Sequence, residues 1–331
     1  MGVATPDTES HDVVIVTVTC SPALDWTVSS PRIVLGDVNH GHSVAREPSG
    51  KGVNVSIALQ RAGIATRAIV PVGGPNGQLF RELLARERLA VDAVDIQADM
   101  RVNITVREGT GRDSKINFPG AHLTPVEMDA VLAATQKVLP TARLLVIAGS
   151  LPEAAPTSLY NRLVAAGHHH SVPVVVDASG PVLSASLGAT PWLVKPNVKE
   201  LAQEVGHPIA TLGDVSRACH MLRARGAGAV LASLGASGAF FQDDGHQLWG
   251  QVPGIRPVNS VGAGDALLAG FVALPTTADV SLARALVWAS SAVMAPSTLF
   301  NSDDSLATRV QITHDYPPEH IICDSDDRKG H

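Results

Sequence analysis

Five short runs in this chain are apolar on both faces: VVIVTV (Val13–Val18), LLVIAG (Leu144–Gly149), VPVVVDA (Val172–Ala178), WLVKPN (Trp192–Asn197) and AVLASLG (Ala229–Gly235). A strand of that kind must be covered on each side, the condition met by a parallel sheet packed between helices. Between the runs lie PTSLYNRLVAAGHHH, SRACHMLRARGA and DALLAGFVAL, whose apolar residues recur every three to four positions, as one face of a helix requires. Strand and helix therefore alternate, which predicts an α/β fold with a mostly parallel sheet and right-handed crossovers. A length of 331 residues and a hydrophobic content of 45% suffice to fill such a core, as one large domain or two modest ones.

Two segments break the rhythm. TVSSPRIVLGDVNHGHSVAREPSG and VDAVDIQADMRVNITVREGTGRDSKINFPG, residues 27–50 and 91–120, alternate polar and apolar residues around Gly and Asp turns. That is the pattern of half-exposed antiparallel strands. A small β-sheet lid is expected there, inserted into a main body made of residues 13–26, 51–90 and 121–315. Projecting from the carboxyl ends of the parallel strands, it would cover a ligand in the crevice at those ends. Residues 1–12 are expected to be flexible and 316–331 to form a polar tail.

A formal charge of -6, a pI near 6.1 and no run rich in lysine or arginine leave no footprint for nucleic acid, so a small-molecule partner is expected. No apolar stretch is long enough to cross a bilayer, ARALVWASSAVMA included. The N-terminus lacks the basic start and apolar centre of a secretory signal, and Pro6 breaks the myristoylation pattern. These features predict a soluble, cytoplasmic protein. Cys20, Cys219 and Cys323, odd in number and far apart, read as packing residues of a reducing compartment.

The chemistry concentrates in NSVGAGDALLAGF (Asn259–Phe271). Leu267, Phe271 and Leu274 mark one helical face, so Gly262, Ala263 and Gly264 fall in the helix's first turn. Backbone can approach a ligand there and unpaired N–H groups point outward. With the helix dipole, that turn is an anion site. Asp265 beside it has two readings: an N-cap, or a general base that takes a proton from an attacking hydroxyl while the amides hold a phosphate.

A second glycine-rich turn, EPSGKGVNVSIALQRAG, opens another helix with Gly50, Lys51, Gly52 and Asn54, though a lone GKG also suits a tight turn with a solvated lysine. The P-loop spacing is absent, as is a GxGxxG turn followed by a ribose-binding acid, which argues against a dinucleotide. KPNVKE places Lys195, Asn197 and Glu200 just past a strand, where an amide and a carboxylate suit water-mediated Mg²⁺ binding. SLGASGA puts Ser233, Gly235 and Gly238 at another strand end, open to nucleotide phosphates. CSPALDWTV puts Asp25 after the first strand, free to accept from sugar hydroxyls. Taken singly, each also fits a turn, a cap or a surface acid. His168–His170, at a helix end, reads as a solvated triplet rather than a metal site.

Assembled in this order, the motifs resemble those of the phosphofructokinase B type of sugar kinase within the ribokinase-like family. GKGVNVSIALQRAG and NSVGAGDALLAGF match that family's two signatures, and the resemblance runs from about Val13 to Pro296. It implies a three-layer α/β/α ribokinase-like fold with a β lid, dimerisation through the lids, and ATP-dependent, Mg²⁺-dependent phosphorylation of a sugar alcohol. Carried over by position, Asp265 is the catalytic base and Gly262, Ala263 and Gly264 the anion hole. Asp25, Gly50, Lys51 and Asn54 match sugar-binding positions; Lys195, Asn197, Glu200, Ser233, Gly235 and Gly238 match the nucleotide and magnesium region.

MRVNITV followed by KINFPGAHLTP resembles the branch that accepts sugars already phosphorylated, with Arg101 and Asn103 at the phosphate end and Lys115 a weaker candidate. GSLPEAAP resembles another element of that branch and points to Ser150. Lys51 and PALDWTV lean toward fructose 1-phosphate as substrate and fructose 1,6-bisphosphate as product. Tagatose 6-phosphate and fructose 6-phosphate are the alternatives, and a non-catalytic sugar-phosphate sensor is the alternative from another class. The chain departs from the branch at Ser49, where glycine is usual, and at Thr105, where many members carry lysine. MAPSTLFNSDD also lacks a common glycine-threonine step.

Overall fold

The computed structural model describes residues 14–110, 112–152 and 154–322. Residues 1–12, Cys323 and the end of the expected tail lie outside them. Fourteen strands form two sheets among the described residues. The larger runs in the order β14 (Gln311–Thr313), β13 (Gln247–Gln251), β12 (Ala239–Gln242), β11 (Ala229–Ser233), β10 (Leu193–Val194), β9 (Val174–Asp177), β8 (Ala142–Ala148), β1 (Val14–Val18), β4 (Thr66–Val72) and β5 (Ala90–Asp95). From β11 to β5 every pairing is parallel, as the doubly apolar runs require; β12, β13 and β14 extend the edge antiparallel. The smaller sheet has the order β3 (Ser43–Ser49), β2 (Ala23–Ser30), β6 (Arg101–Glu108), β7 (Asp113–Ile116).

The helices are α1 (Lys51–Arg61), α2 (Gly74–Arg86), α3 (Pro125–Val138), α4 (Ser158–His169), α5 (Gly180–Leu187), α6 (Val198–Val205), α7 (Leu212–Ala224), α8 (Ala263–Val272) and α9 (Ala278–Met294). Alternate residues of each central strand feed opposite cores. Val16, Ile147 and Val176 pack with Leu163 of α4 and Leu222 of α7, whereas Ile15, Val146 and Val175 pack with Leu59 of α1, Leu268 of α8 and Leu286 of α9. Helices thus cover both faces, and the three-layer α/β/α arrangement follows from the strand pattern.

Two boundaries differ from those read in the sequence. The run AVDAVD, expected in the lid from Val91 onward, pairs with β4 as the edge strand of the large sheet, where its partial exposure admits the two aspartates. The small sheet also starts earlier than residue 27, since β2 begins at Ala23 and carries Asp25 and Trp26. The tail is less idle than its polarity suggests: Leu212 N donates to His320 O, and the Tyr316 ring packs 5.0 Å from that of Phe240. Cys20 and Cys219 are buried, and burial pushes the Cys20 thiol up to about 12, as befits packing residues.

Candidate active site

All parallel strands end on one edge, and the sequence motifs collect there. Helix α8 starts at Ala263, with Gly262 as its N-cap at φ +79°. Only glycine adopts that angle without strain, and a Cβ on Gly262 would sit 2.7 Å from the Thr298 methyl. Asp265 is therefore the third helical residue and makes no cap, which removes the N-cap reading. Its carboxylate instead accepts 2.7 Å from Nδ2 of Asn54 on α1. Leu267 and Phe271 are buried as expected, but Leu274 lies past the helix and is half exposed, because the helix starts two residues before Asp265 and ends at Val272.

Helix α1 opens on Gly50, at φ +133° and tight against Thr19 and Pro22. The Lys51 ammonium is consequently not solvated in the manner of a turn lysine. It donates to Asp177 Oδ1 at 2.7 Å and stands 3.9 Å from Glu200 Oε1. Asp177 ends β9 with no exposed surface, and its Oδ2 is 3.1 Å from Lys195 Nζ. Lys195 in turn lies 3.3 Å from where a Cβ on Gly264 would be, so its ammonium stands against the first turn of α8.

This arrangement sets the charges. Two ammonium groups hold Asp177 below the usual carboxylate range despite its burial, and the carboxylates of Asp177 and Glu200 hold Lys51 protonated. Asp265 moves the other way, pushed up to about 6 by desolvation and then by the Asp177 charge, against the Asn54 hydrogen bond. A carboxyl there ionises near neutral pH and is suited to accept a proton.

Asn197 and Glu200 also perform the structural task that the sequence left open for them, a helix cap. They form the capping box of α6: Asn197 Oδ1 accepts from Glu200 N and Glu200 Oε2 accepts from Asn197 N, each at 2.9 Å. Oε1 of Glu200 remains directed at Lys51. Ser233 bonds Pro196 O through its amide and pairs with Asn197, while Gly235 and Gly238 form the turn after β11. Ser150 is exposed on the loop after β8, next to Gly149, which approaches Lys51.

The sugar-side candidates gather on one face of the small sheet, because β2 and β6 pair in parallel with Asp25 opposite Asn103 and Ala23 opposite Arg101. Asn103 Nδ2 donates to Asp25 Oδ1 at 3.0 Å. Arg101 donates to Ser21 O and Phe118 O, while its Nε is buried without a partner. Lys115 stands opposite Thr105, on the same face. A cavity of about 270 Å³ lies between this face and the segments around Asn259 and Thr298.

Sequence reasoning missed Asp177, which closes the charge network. The one signal was a carboxylate ending a run otherwise apolar on both faces. Arg107 and Glu47, which line the cavity, were missed as well.

The chain resembles the crystal structure of phosphofructokinase-2 from Escherichia coli in complex with potassium, with a TM-score of 0.85 at 29% identity over 90% of this chain and 98% of that one. Ribokinase from Arabidopsis thaliana, complexed with ribose and ATP, superposes with a TM-score of 0.72 at 20% identity, covering 89% and 97% of the two chains. The fold is thus the ribokinase-like α/β fold. In sequence, the chain is 32% identical to 1-phosphofructokinase from Bacillus subtilis (strain 168) over 78% of its length and 84% of the relative's. The profile described as pfkB family carbohydrate kinase matches residues 15–298, and the chain belongs to that family. No helix among the described residues is long and apolar enough to cross a membrane.

Proposed function

We propose that this chain is an ATP-dependent phosphosugar kinase that converts fructose 1-phosphate to fructose 1,6-bisphosphate. The reading is carried by one observation: Asp265 stands in the first turn of α8, accepts from Asn54 and lies within the electrostatic reach of Lys51 and Lys195. In-line transfer needs a base for the acceptor hydroxyl and positive groups around the phosphoryl oxygens in one place. The choice of sugar is supported by the relatives named 1-phosphofructokinase.

Asp265 takes the proton of the sugar hydroxyl. The buried Asn54 Oδ1, which has no partner within the protein, accepts from a neighbouring hydroxyl and orients the ring. The amides of Gly262, Ala263 and Gly264 stabilise charge on the transferred group, with the Lys51 and Lys195 ammonium groups beside them. Asp25 and Asn103 hold further hydroxyls, and Arg101 turns its unpartnered Nε toward the substrate's own phosphate; Gly50 and Ser150 complete the sugar site.

Bound ATP with Mg²⁺ supplies the phosphoryl group and neutralises its charge. The donors fit that ion: the capping box uses Oε2 of Glu200 and leaves Oε1 outside it, and Mg²⁺ favours few protein ligands and several waters. Glu200, through Oε1, and Asn197 would hold it by way of water. Ser233, Gly235 and Gly238 line the nucleotide.

The other face of the small sheet is largely apolar, with Trp26, Val28, Ile104 and Val106 half-buried, Val44 and Ile116 51% and 52% exposed, and Arg46 lying over the Trp26 ring. A second copy covering that face makes the enzyme a dimer through its lids; light scattering on the purified chain tests this, and a monomer would refute it.

The reaction is tested by ADP release from ATP and Mg²⁺ with fructose 1-phosphate, fructose 6-phosphate, tagatose 6-phosphate and free sugars offered separately. Turnover with fructose 1-phosphate alone, abolished by Asp265→Asn, is expected. Turnover confined to fructose 6-phosphate would support the phosphofructokinase-2 likeness instead, and silence with every acceptor would favour a sensor.

A further inference from the structure

Arg107, which carries no motif in the sequence, ties the small sheet to the segment that follows α9. It lies on the same face of β6 as Arg101 and Asn103. Asp113 of β7 grips its fork at 3.1 and 3.0 Å, fixing the guanidinium and keeping it charged. The remaining nitrogen, Nη1, donates to Pro296 O at 3.2 Å. Two strands away, on β3, Glu47 faces the Ser297 hydroxyl and the Thr298 amide across the same cavity.

That segment is short and stiff. Helix α9 ends at Met294, and Ala295 is extended before Pro296, as the residue before proline prefers. Two residues later the Thr298 methyl rests on Gly262, so closely that a Cβ there would approach it to 2.7 Å. The loop leading into the same turn is tied to the same place: Val258 N and Asn259 N both donate to Val293 O. The first turn of α8 is thus seated on residues 293–298, and the small sheet reaches it through Arg107.

We infer that Arg107 is a positioning residue for phosphoryl transfer: by holding Pro296–Thr298, it sets the α8 amides in register with the sugar face of the small sheet. The inference rests on the kinase reading above. Arg107 acts on the rate through Thr298 and Gly262, and its loss loosens the anion site without emptying the sugar site. A misplacement of about 1 Å at a transfer centre costs up to about a hundredfold in rate.

The test compares the full-length protein with Arg107→Gln, Thr298→Ser and the double variant, measuring both sugar phosphorylation and ATP hydrolysis to water in the presence of phosphosugar. Arg107→Gln is expected to lower kcat about tenfold, with KM for the sugar within about twofold, and to raise the fraction of ATP lost to water. Thr298→Ser, which removes the methyl on Gly262, shifts that fraction in the same direction, and the double variant is no worse than Arg107→Gln. Arg107→Lys restores part of the rate. A merely structural role would lower transfer and hydrolysis in proportion. A rise in KM with the partition unchanged, or fully multiplicative effects in the double variant, would overturn the inference while leaving the kinase standing. A wild-type protein that phosphorylates no sugar would sink both.

Discussion

At the N-terminus of α8, charged and polar side chains from separate elements bond one another: Lys51 of α1 to Asp177 of β9, Asp177 to Lys195 after β10, and Asn54 of α1 to Asp265 of α8. On the face of the small sheet, Arg101 spends its donors on the backbone of Ser21 and Phe118, and Asn103 bonds its neighbour Asp25. The first region buries Asp177, Lys195 and Asp265 and is mutually constrained; the second is half-exposed and keeps a buried guanidinium N–H unpaired. The difference separates two tasks. A centre whose dipoles are fixed before the substrate arrives has no reorganisation left to do during transfer, whatever the sugar. A face with unused donors can decide which sugar is held, because selectivity arises where buried polar groups are satisfied by one ligand and not by another.

The largest effect is expected at the constrained centre. Asp265→Asn should lower kcat by about two to four orders of magnitude, the usual worth of a positioned base. It should also raise stability at neutral pH. The folded protein binds the Asp265 proton more tightly than the unfolded chain, so stability falls as pH rises from the ordinary carboxylate range through about 6. D265N removes that cost, worth about 2–3 kcal/mol. Thermal unfolding of both proteins at pH 4 and pH 7.5 checks the sign: the gain in Tm should appear at the higher pH and shrink at the lower. A variant less stable than wild type at pH 7.5 would mean that Asp265 is not the strained group of the site. In the wild type, kcat/KM should fall about tenfold per pH unit below about 6.

A middle-sized effect belongs to the open face. Arg101→Gln should raise KM for the phosphosugar by about ten- to a hundredfold, the loss of a charge-assisted contact, and leave KM for ATP unchanged. A comparable loss in kcat at saturating sugar would blur the comparison, because the face would then share the task of the centre. Steady-state kinetics with each substrate varied in turn gives the answer.

How much of this was legible beforehand depended on the physical signal each part leaves in the chain. The α8 turn was readable because glycine at Gly262 and Gly264, followed by a carboxylate and an apolar helix, suits few arrangements besides a helix start that approaches an anion. Strand order and layering followed from runs apolar on both faces. Asp177 was not readable, since a carboxylate ending a strand shows its burial only when Lys51, 126 residues away in sequence, folds onto it. The same holds for the double duty of Asn197 and Glu200, whose spacing fits a capping box and a metal position equally. AVDAVD misled because an edge strand of a large sheet and a strand of a small one are both half-exposed and admit the same mixture of polar and apolar residues.

The smallest effect tests how far the rigidity of the centre extends along α8. At that helix's other end two guanidiniums converge on its last carbonyls: Arg143 donates to Val272 O, and Arg284 to Gly270 O and Leu274 O. Cations there satisfy groups that the helix leaves open and oppose the negative end of its dipole. They also repel each other, since burial and then the Arg143 charge press Arg284 below the ordinary guanidinium range. Loss of one is therefore partly offset by relief of the other. Arg284→Gln should cost about 1 kcal/mol of stability, lower Tm by a few degrees and change kcat by less than about threefold, with Arg284→Lys in between. Thermal unfolding and kcat at saturating substrates measure both. A tenfold fall in kcat at unchanged Tm would show that the centre is not held by the bonds among Lys51, Asp177, Lys195, Asn54 and Asp265, but by the seating of α8 as a whole, and the contrast between the two regions would then lose its physical basis.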